Sequence, residues 1–253
     1  MNPYYDEGGI TIYHGDCLDV LASLDESVDM VFTSPPYNIG NSPGGGHSAK
    51  DKDKWRKATR GGEYLAGYIE YDDNMPMDEY EEWQRNVLSA VWDHTTGAIF
   101  YNHKPRPWKG EAWLPLCLNP GLPLRQIITW ARPGGINFNA SHYLNMYEWI
   151  MVFARPDWKL KNQAASGMGD VWNVTQMQGA DHPCPFPKEL PARAIESAAP
   201  RSIMDPFLGS GTTLRAAKDA GIRGIGIEMS EGYCEMAATV LAQGSLFAQE
   251  AVG

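Results

Sequence analysis

The sequence has few cysteines and no long apolar run. The 253 residues include only Cys17, Cys117, Cys184 and Cys234, with no C-x-x-C spacing. This excludes a zinc knuckle or a disulfide framework, predicts no metal site, and is typical of the reducing cytoplasm. The longest apolar run, 149–154, is far shorter than a bilayer span, and residues 1–9 lack a basic-then-apolar pattern. We therefore expect a cytoplasmic protein with no secretory signal and no membrane partner.

Positive charge is scarce and is concentrated in one segment. The chain has 21 Lys and Arg against 31 Asp and Glu, a formal net charge of −10, which on its own argues against a nucleic-acid partner. Residues 50–60, however, carry six basic and two acidic residues, whereas residues 63–82 carry eight acidic and no basic ones. Because the charge is segregated, the average says little about the surface near residue 50.

Short apolar strands alternate with helical or loop stretches, which is the pattern of an α/β sheet. The predicted strands are 10–13, 28–33, 98–102, 125–130, 148–154, 203–205 and 224–228, and the predicted helices are 77–92, 213–220 and 231–242. Thr212 or Thr213 is expected to cap the second helix, and Gly221 to end it. We expect a single domain, 1–253, with a Gly-, Ser- and charge-rich insertion at about 40–76 and a short variable segment at about 156–181.

A rigid polar turn, here called the proline turn, follows the predicted strand 28–33 as Ser34-Pro35-Pro36-Tyr37. The two prolines donate no backbone N–H and are stiff in φ, so their flanking carbonyls are expected to be acceptors without local partners. Ser34 adds a side-chain acceptor, and Tyr37 an aromatic face on which a base can stack with about 1–3 kcal/mol. The pattern suits the exocyclic amino group of a planar base, although a rigid turn with a buried tyrosine would look the same.

A second turn, here called the glycine turn (residues 206–211), follows the predicted strand that ends at Asp205. Its Gly209 and Gly211 let the backbone approach a ligand closely, and the helix that follows presents free N–H groups. No lysine follows Gly211, which disfavours a phosphate-binding P-loop, and the spacing is not that of a dinucleotide site. Glu228, at the end of the next strand, is suited to bind ribose hydroxyls.

Asp16 completes a set of polar groups at the carboxyl ends of predicted strands, since it follows the first strand by a few residues. The proline turn, the glycine turn and Glu228 follow three other strands. Ligands bind at this edge in open α/β sheets. We therefore expect the four elements to surround one cleft.

With these elements the sequence resembles the DNA amino-methyltransferases that use S-adenosylmethionine, in their β arrangement. In that family an S/D/N-P-P-Y element precedes an F-x-G-x-G element, as Ser34–Tyr37 precedes Phe207–Gly211 here. The segments G-D-C-L-D-V-L at 15–21 and R-P-G-G-I-N-F at 132–138, and the H-P and F-P pairs within 182–187, extend the resemblance over nearly the whole chain. It implies a Rossmann-like α/β fold whose seven-stranded, mostly parallel sheet has one antiparallel strand and is circularly permuted relative to most methyltransferases.

The resemblance also implies roles for single residues. Ser34, Pro35, Pro36 and Tyr37 would be catalytic: a base flipped out of the duplex lies against Tyr37, and Ser34 and the Pro35 carbonyl hold its amino group for in-line transfer without a covalent enzyme intermediate. Asp16 would lie near the adenine of the cofactor and Glu228 would hold the ribose. The implied cofactor-binding residues are Asp16, Thr33, His182, Phe186, Asp205, Phe207, Gly209, Ser210, Gly211, Thr212 and Glu228.

Double-stranded DNA is the implied partner, and the basic segment follows the proline turn within one loop, although a solvated charged face would have the same composition. The predicted DNA-binding residues are Lys50, Lys52, Lys54, Trp55, Arg56, Lys57 and Arg60, with His103, Lys104, Arg106 and Lys109 as further candidates. The 26 residues of segment 156–181 leave little room for a recognition domain. A short site or a second subunit, as in a homodimer, follows, and a cognate restriction endonuclease would be a separate chain.

Several alternatives remain at this point. The T-S-P-P-Y form is typical of cytosine-N4 enzymes, whereas adenine-N6 enzymes more often have Asp or Asn at the position of Ser34, so cytosine is favoured and adenine is the alternative. Cytosine carbon-5 methylation is disfavoured because it needs a thiolate, and Cys184 stands in a proline-rich loop. RNA and protein-glutamine methyltransferases normally place the cofactor element first. An inactive DNA-binding regulator is disfavoured because every expected chemical residue type is present.

Overall fold

The structure is a computed structural model that describes residues 1–38, 74–132, 141–175 and 187–250. The side chains of residues 163, 166 and 243–250 are not described. The basic segment 50–60 and the segment 176–186, which contains Cys184, lie outside the described residues.

The described residues form eleven strands and six α-helices. The strands are β1 (Tyr5–Glu7), β2 (Ile10–His14), β3 (Val28–Thr33), β4 (Thr95–His103), β5 (Arg106–Trp108), β6 (Glu111–Trp113), β7 (Leu124–Ala131), β8 (Tyr147–Ala154), β9 (Val171–Asn173), β10 (Ser202–Asp205) and β11 (Arg223–Glu228). The helices are α1 (Cys17–Ser23), α2 (Met77–Asp93), α3 (Gln163–Ser166), α4 (Glu189–Ala198), α5 (Thr212–Asp219) and α6 (Glu231–Glu250), and a 3₁₀ turn spans Pro115–Leu118. None of these helices is long and apolar enough to cross a membrane.

Nine of the strands form one mixed sheet, in the order β1-β2-β11-β10-β3-β4-β8-β7-β9, and β5 pairs with β6 in a separate hairpin. Only β1 and β8 run against the others. All seven predicted strands are present, but the predicted seven-stranded sheet is wrong because β1 and β9 add an edge strand at each side. Each has three mostly exposed residues, so that pairing with a neighbour, rather than an apolar run, makes it a strand.

Helices cover both faces of the sheet. Along β3, Met30 and Phe32 pack into the cluster that contains α4, α5 and α6, whereas Val31 packs on the opposite face with α1 and α2. All three side chains are fully buried, and each such burial stabilises the fold by roughly 1.5–3 kcal/mol. The alternation of faces with period two therefore fixes the register of β3 at the sheet centre.

The helix α5 begins one residue earlier than expected and has a different cap. Gly211 is its N-cap, with φ of 85°, and no side chain caps the helix. The prediction of Thr212 or Thr213 as N-cap is wrong because the hydroxyl of Thr213 donates to Asp205 instead of accepting from the backbone. Gly221 follows the end of the helix with φ of 66°, as a glycine at C′ should.

The segment 156–181 is also less irregular than predicted, because it contains α3 and β9. Strand β9 pairs in parallel with β7, and its Trp172 is buried in the core. A three-residue strand carries too little periodicity to be seen in the sequence.

The order of the strands reverses between β3 and β10. From β3 the chain continues to its neighbour β4 on one side, and from β10 it continues through α5 to β11 on the other side. A crevice at the carboxyl ends of the strands is expected at such a reversal. The proline turn and the glycine turn follow the two strands that flank it.

Candidate active site

The proline turn and the glycine turn meet through one buried hydrogen bond. Strands β3 and β10 are adjacent and parallel, so both turns leave the same edge of the sheet. The hydroxyl of Thr33 donates to Oδ1 of Asp205 at 2.7 Å, although the two residues are 172 positions apart. The structure thus brings together the two segments that the sequence suggested would form one cleft.

Asp205 is fully buried and accepts hydrogen bonds from three groups of the described chain. Its Oδ1 also accepts from the backbone N–H of Phe207 at 3.1 Å, and its Oδ2 accepts from the hydroxyl of Thr213 at 2.7 Å. Burial raises the pKa of Asp205 to about 6, against the opposing effect of these hydrogen bonds. The side chains of Asp205 and Thr33 are buried and join the two turns, and their predicted contact with the cofactor stays a prediction.

Glu228 anchors the glycine turn from the adjacent strand β11. Its two carboxylate oxygens accept from the backbone N–H of Gly209 at 2.8 Å and of Ser230 at 2.9 Å. Burial raises the pKa of Glu228, while both N–H groups oppose this shift. Each oxygen keeps a further lone pair, so the carboxylate can hold the turn and still accept from a ligand hydroxyl.

The glycine turn packs closely against its neighbours. Gly209 and Gly211 have φ of 52° and 85°, and a Cβ on Gly211 would lie 3.0 Å from the Cβ of Ala237 in α6. A Cβ on Gly226 in β11 would come within 2.7 Å of the side chain of Leu208 in the turn. The close packing of the turn therefore requires glycine at position 211 in the turn and at position 226 in the neighbouring strand β11.

Asp16 lies beside the glycine turn but has a structural task. Its Oδ1 caps α1 by accepting from the N–H of Leu18 at 2.8 Å. The preceding Gly15 donates its N–H to the carbonyl of Glu228 at 2.9 Å, which ties the Asp16 turn to the end of β11. The predicted position of Asp16 at the same edge as Glu228 agrees with the structure, and its contact with an adenine stays a prediction.

The carbonyl of Pro36 is already bound, contrary to the expectation that both proline carbonyls lack local partners. It accepts from the hydroxyl of Tyr80 at 2.8 Å and from Nε2 of Gln84 at 3.4 Å, both on α2. No hydrogen bond to the carbonyl of Pro35 occurs among the described residues. Of the two proline carbonyls, that of Pro36 attaches the turn to α2, and that of Pro35 keeps its acceptor capacity among the described residues.

His103 extends this attachment and does not face DNA. It is fully buried, and burial together with the charge of Arg106 lowers the pKa of His103 to about 3. Its Nδ1 accepts from the N–H of Lys104 at 2.8 Å, so the single proton of the neutral ring is on Nε2, which lies 2.7 Å from the hydroxyl of Tyr80. His103 then donates to the hydroxyl of Tyr80, and Tyr80 donates to the carbonyl of Pro36. The candidate role of His103 in DNA binding is wrong.

Arg106 also supports the proline turn, and its contact with DNA stays a prediction. Its guanidinium donates to the backbone carbonyl of Tyr37 and lies 5.0 Å from the ring centroid of Trp113 in the β5–β6 hairpin. His103 covers one face of the Tyr37 ring, with centroids 4.6 Å apart. The hairpin and β4 together hold Tyr37 in place, while Lys109 at the hairpin tip is exposed.

A polar network on β4 and β8 surrounds the two hydroxyls of the proline turn. The Oγ of Ser34 lies 2.9 Å from the hydroxyl of Tyr37, which donates to Oε2 of Glu148 at 2.8 Å. Nδ2 of Asn102 lies 2.7 Å from the Tyr37 hydroxyl, 2.9 Å from Glu148 Oε2 and 3.2 Å from Ser34 Oγ. Glu148 is buried and its Oε1 pairs with Arg132 at 3.2 Å.

Asn102, Glu148 and Arg132 were missed from the sequence. Glu148 is near the beginning of β8, whereas ligand-binding residues are expected at the carboxyl ends of strands. Because β8 runs antiparallel to β4, its beginning lies at the same edge as those carboxyl ends. Oδ1 of Asn102 is buried and has no hydrogen-bond partner among the described residues. It cannot exchange places with Nδ2, because an amide oxygen would then face the Glu148 carboxylate.

The predicted residues outside the described ranges have no structural account here. They are Lys50, Lys52, Lys54, Trp55, Arg56, Lys57, Arg60, His182 and Phe186. Among the described residues no group of three His, Cys, Asp or Glu side chains could hold a metal ion.

A family profile, sequence relatives and solved structures all match this chain to DNA methyltransferases. The sequence profile of the DNA methylase family of N6 and N4 enzymes matches residues 28–239. The type II methyltransferase M.ScaI of Streptomyces caespitosus is 28% identical over 277 residues, covering 93% of this chain and 82% of that protein. M2.DpnII of Streptococcus pneumoniae is 26% identical, covering 93% and 90%.

Solved structures show the same fold. The PvuII DNA methyltransferase, described as cytosine-N4-specific, has a TM-score of 0.70 at 18% identity, covering 93% of this chain and 87% of that chain. M1.HpyAVI in complex with S-adenosylmethionine has a TM-score of 0.59 at 17% identity, covering 92% and 98%. The chain belongs to the DNA methylase family. It is an S-adenosylmethionine-dependent DNA amino-methyltransferase that acts on cytosine N4 or adenine N6.

Proposed function

We propose that the protein is a site-specific DNA methyltransferase that methylates N4 of a cytosine flipped out of the duplex. The observation that carries the choice of base is serine at the first position of the proline turn, the form typical of cytosine-N4 enzymes. The order of the turns, with the proline turn before the glycine turn, supports the circularly permuted β arrangement. Adenine N6 is the alternative.

The glycine turn fits S-adenosylmethionine on the evidence of its own geometry. The first N–H groups of α5 are not capped by any side chain, so they can bind the carboxylate of the methionine part. Glu228 keeps acceptor capacity for ribose hydroxyls, while its bond to Gly209 fixes the turn. When bound, the cofactor supplies an electrophilic methyl group on a sulfonium sulfur.

The proline turn would hold and orient the target amino group. Such a group has two hydrogens, and the open acceptors of the turn are Ser34 Oγ and the carbonyl of Pro35. If both hydrogens are bound there, the nitrogen lone pair is held in a fixed direction, and no nucleophile from the protein is needed. Positioning and electrostatics are then the contribution of the chain. Flipping the base into the cleft costs a few kcal/mol.

The product identifies the base in one experiment. Unmethylated duplex DNA is incubated with the protein and S-adenosylmethionine, digested to nucleosides and analysed by mass spectrometry, with Ser34→Ala prepared in parallel to exclude host enzymes. We expect N4-methylcytosine from the wild type and a strongly reduced amount from the variant. N6-methyladenine would overturn the choice of base and leave the amino-methyltransferase activity intact.

The basic segment is proposed to bind the duplex. It follows the proline turn within the same predicted loop and carries a local charge of +4 in an acidic chain. Neutralising Lys54, Arg56 and Lys57 should weaken DNA binding and reduce its dependence on salt, because fewer counterions are released. Unchanged affinity and salt slope would exclude the segment from the DNA path. A homodimer and a separate restriction endonuclease stay predictions.

A further inference from the structure

The hydroxyl protons of the proline turn can be placed from distances alone. The Tyr37 hydroxyl lies 2.8 Å from Oε2 of Glu148, a separation that requires a proton between the two oxygens. A carboxylate held by Arg132 has none to give, so the proton is that of Tyr37. Ser34 Oγ lies 2.9 Å from the same hydroxyl, and because the Tyr37 proton is already used, Ser34 must donate.

Asn102 leaves this arrangement intact. Its Nδ2 has two hydrogens but three acceptors within 3.2 Å. The two nearest, the hydroxyl of Tyr37 and Oε2 of Glu148, satisfy both hydrogens. Tyr37 then donates once and accepts twice, which is the full capacity of a phenolic hydroxyl toward these neighbours. The lone pairs of Ser34 Oγ are left for a ligand.

We propose that Glu148 is a positioning residue that, through Tyr37, fixes Ser34 Oγ as an acceptor toward the target amino group. A free serine hydroxyl can rotate and donate, and a donating Ser34 would repel the hydrogens of the amino group. The buried carboxylate prevents this by orienting both hydroxyl protons toward itself. Glu148 need not touch the base, because its effect passes through two hydrogen bonds.

The proposal rests on the proposed function only for the identity of the amino group, because both candidate bases present an N–H to Ser34. The base is read from the methylated nucleoside of the wild type, whereas the role of Glu148 is read from ratios of rates. If the product is N6-methyladenine, the same measurements on the adenine substrate test Glu148 without change. An error in the choice of base and an error in the role of Glu148 would therefore give different results.

The test is a double-mutant cycle on the single-turnover rate of methyl transfer, with saturating DNA and S-adenosylmethionine. Glu148→Gln and Tyr37→Phe should each lower the rate on the order of 10- to 100-fold, less than removal of a direct acceptor. The double variant should be no slower than the slower single variant, because both break one chain of hydrogen bonds. Cofactor affinity should stay within about twofold of the wild type in all three, since the glycine turn is not altered.

The matched control is Glu26→Gln, which removes the carboxylate of another Arg–Glu pair, Glu26 with Arg223, at the opposite edge of the sheet. Its transfer rate should equal that of the wild type. If Glu148→Gln folds poorly because Arg132 is left unpaired, the variant with both Glu148→Gln and Arg132→Gln replaces it in the cycle. A wild-type rate in Glu148→Gln, or single effects that multiply in the double variant, would overturn the proposal, since a merely structural role does not depend on Tyr37.

Discussion

The proline turn and the glycine turn are held in place by different kinds of hydrogen bond. The proline turn is fixed by side chains from other elements: Tyr80 on α2, the network of Asn102 and Glu148 on β4 and β8, and Arg106 from the hairpin. The glycine turn is fixed mainly by two carboxylates, the buried Asp205 and the partly buried Glu228, that bind backbone N–H groups.

This difference follows from what each turn must do. A backbone held by carboxylates leaves no side chain in the way, which suits a turn that must closely approach a ligand. On the proposed function, the proline turn must instead present a particular hydroxyl and carbonyl, and side-chain hydrogen bonds determine their direction. Substitutions around the proline turn should therefore change mainly the transfer rate, and those around the glycine turn mainly the cofactor affinity.

The largest effect is expected from Ser34→Ala in the proline turn. Removing the acceptor should lower the single-turnover rate on the order of 10²–10³-fold if the contact is specific to the transition state. Cofactor affinity, measured by calorimetry, should not change. A normal transfer rate in this variant would mean that another group holds the amino hydrogen, and the proline turn would lose its assigned role.

Tyr80→Phe should affect both the rate and stability. Without its hydroxyl, the carbonyl of Pro36 keeps only the long bond to Gln84, and the Nε2–H of His103 has no acceptor. We expect a loss of about 1–3 kcal/mol in the free energy of unfolding in urea and a slower transfer. Tyr5→Phe is the control, because its hydroxyl reaches only Glu7, at 3.4 Å on the surface. Equal stability of the two variants would contradict the role of Tyr80.

Gly226→Ala is the matching test for the glycine turn. The new methyl would lie within 2.8 Å of the side chains of Leu208 and Leu214, so we expect a loss of about 1–3 kcal/mol in stability and weaker cofactor binding. Transfer at saturating cofactor should be close to normal. Gly232→Ala, whose nearest neighbour is 3.8 Å away, should behave as the wild type. Unchanged cofactor affinity in Gly226→Ala would show that the glycine turn does not depend on β11.

The smallest effects concern the pH dependence of stability. This dependence should have opposite signs for His103, beside the proline turn, and Asp205, beside the glycine turn. The pKa of His103 is about 3, below its ordinary 6.5. Below pH 6.5 the folded state therefore binds fewer protons than the unfolded state, so the contribution of His103 to stability is present above pH 6.5 and is lost on acidification. The pKa of Asp205 is about 6, above its ordinary 3.8, so the contribution of Asp205 to stability is present below pH 3.8 and is lost as the pH rises through 6.

Unfolding free energies between pH 4 and 6 test both signs. The difference between the wild type and Asp205→Asn should shrink as the pH rises, and that between the wild type and His103→Gln should grow. Each slope should remain below about 1.4 kcal/mol per pH unit, the value for one proton. Parallel curves for the wild type and both variants would contradict the burial argument for these groups.

Much of the fold was predictable, since all seven central strands are apolar runs that end in a recognisable turn. The edge strands β1 and β9 were not predicted, because three residues have no usable periodicity. At the site, Ser34 and the glycine turn carry local sequence patterns. Glu148 and Asn102 do not: each looks like an ordinary polar residue within a strand, and only the reversed direction of β8 and the register with β4 bring them to Ser34.

The hydrogen bond between Thr33 and Asp205 also has a consequence for folding. It joins residues 172 positions apart, and β2, near the start of the chain, pairs with β11, near the end of the described residues. The centre of the sheet is thus built from contacts of high sequence separation, which are slow to form. During synthesis, β3 has no partner on one side until β10 leaves the ribosome, so the proline turn and the glycine turn come together only after β10 has been made.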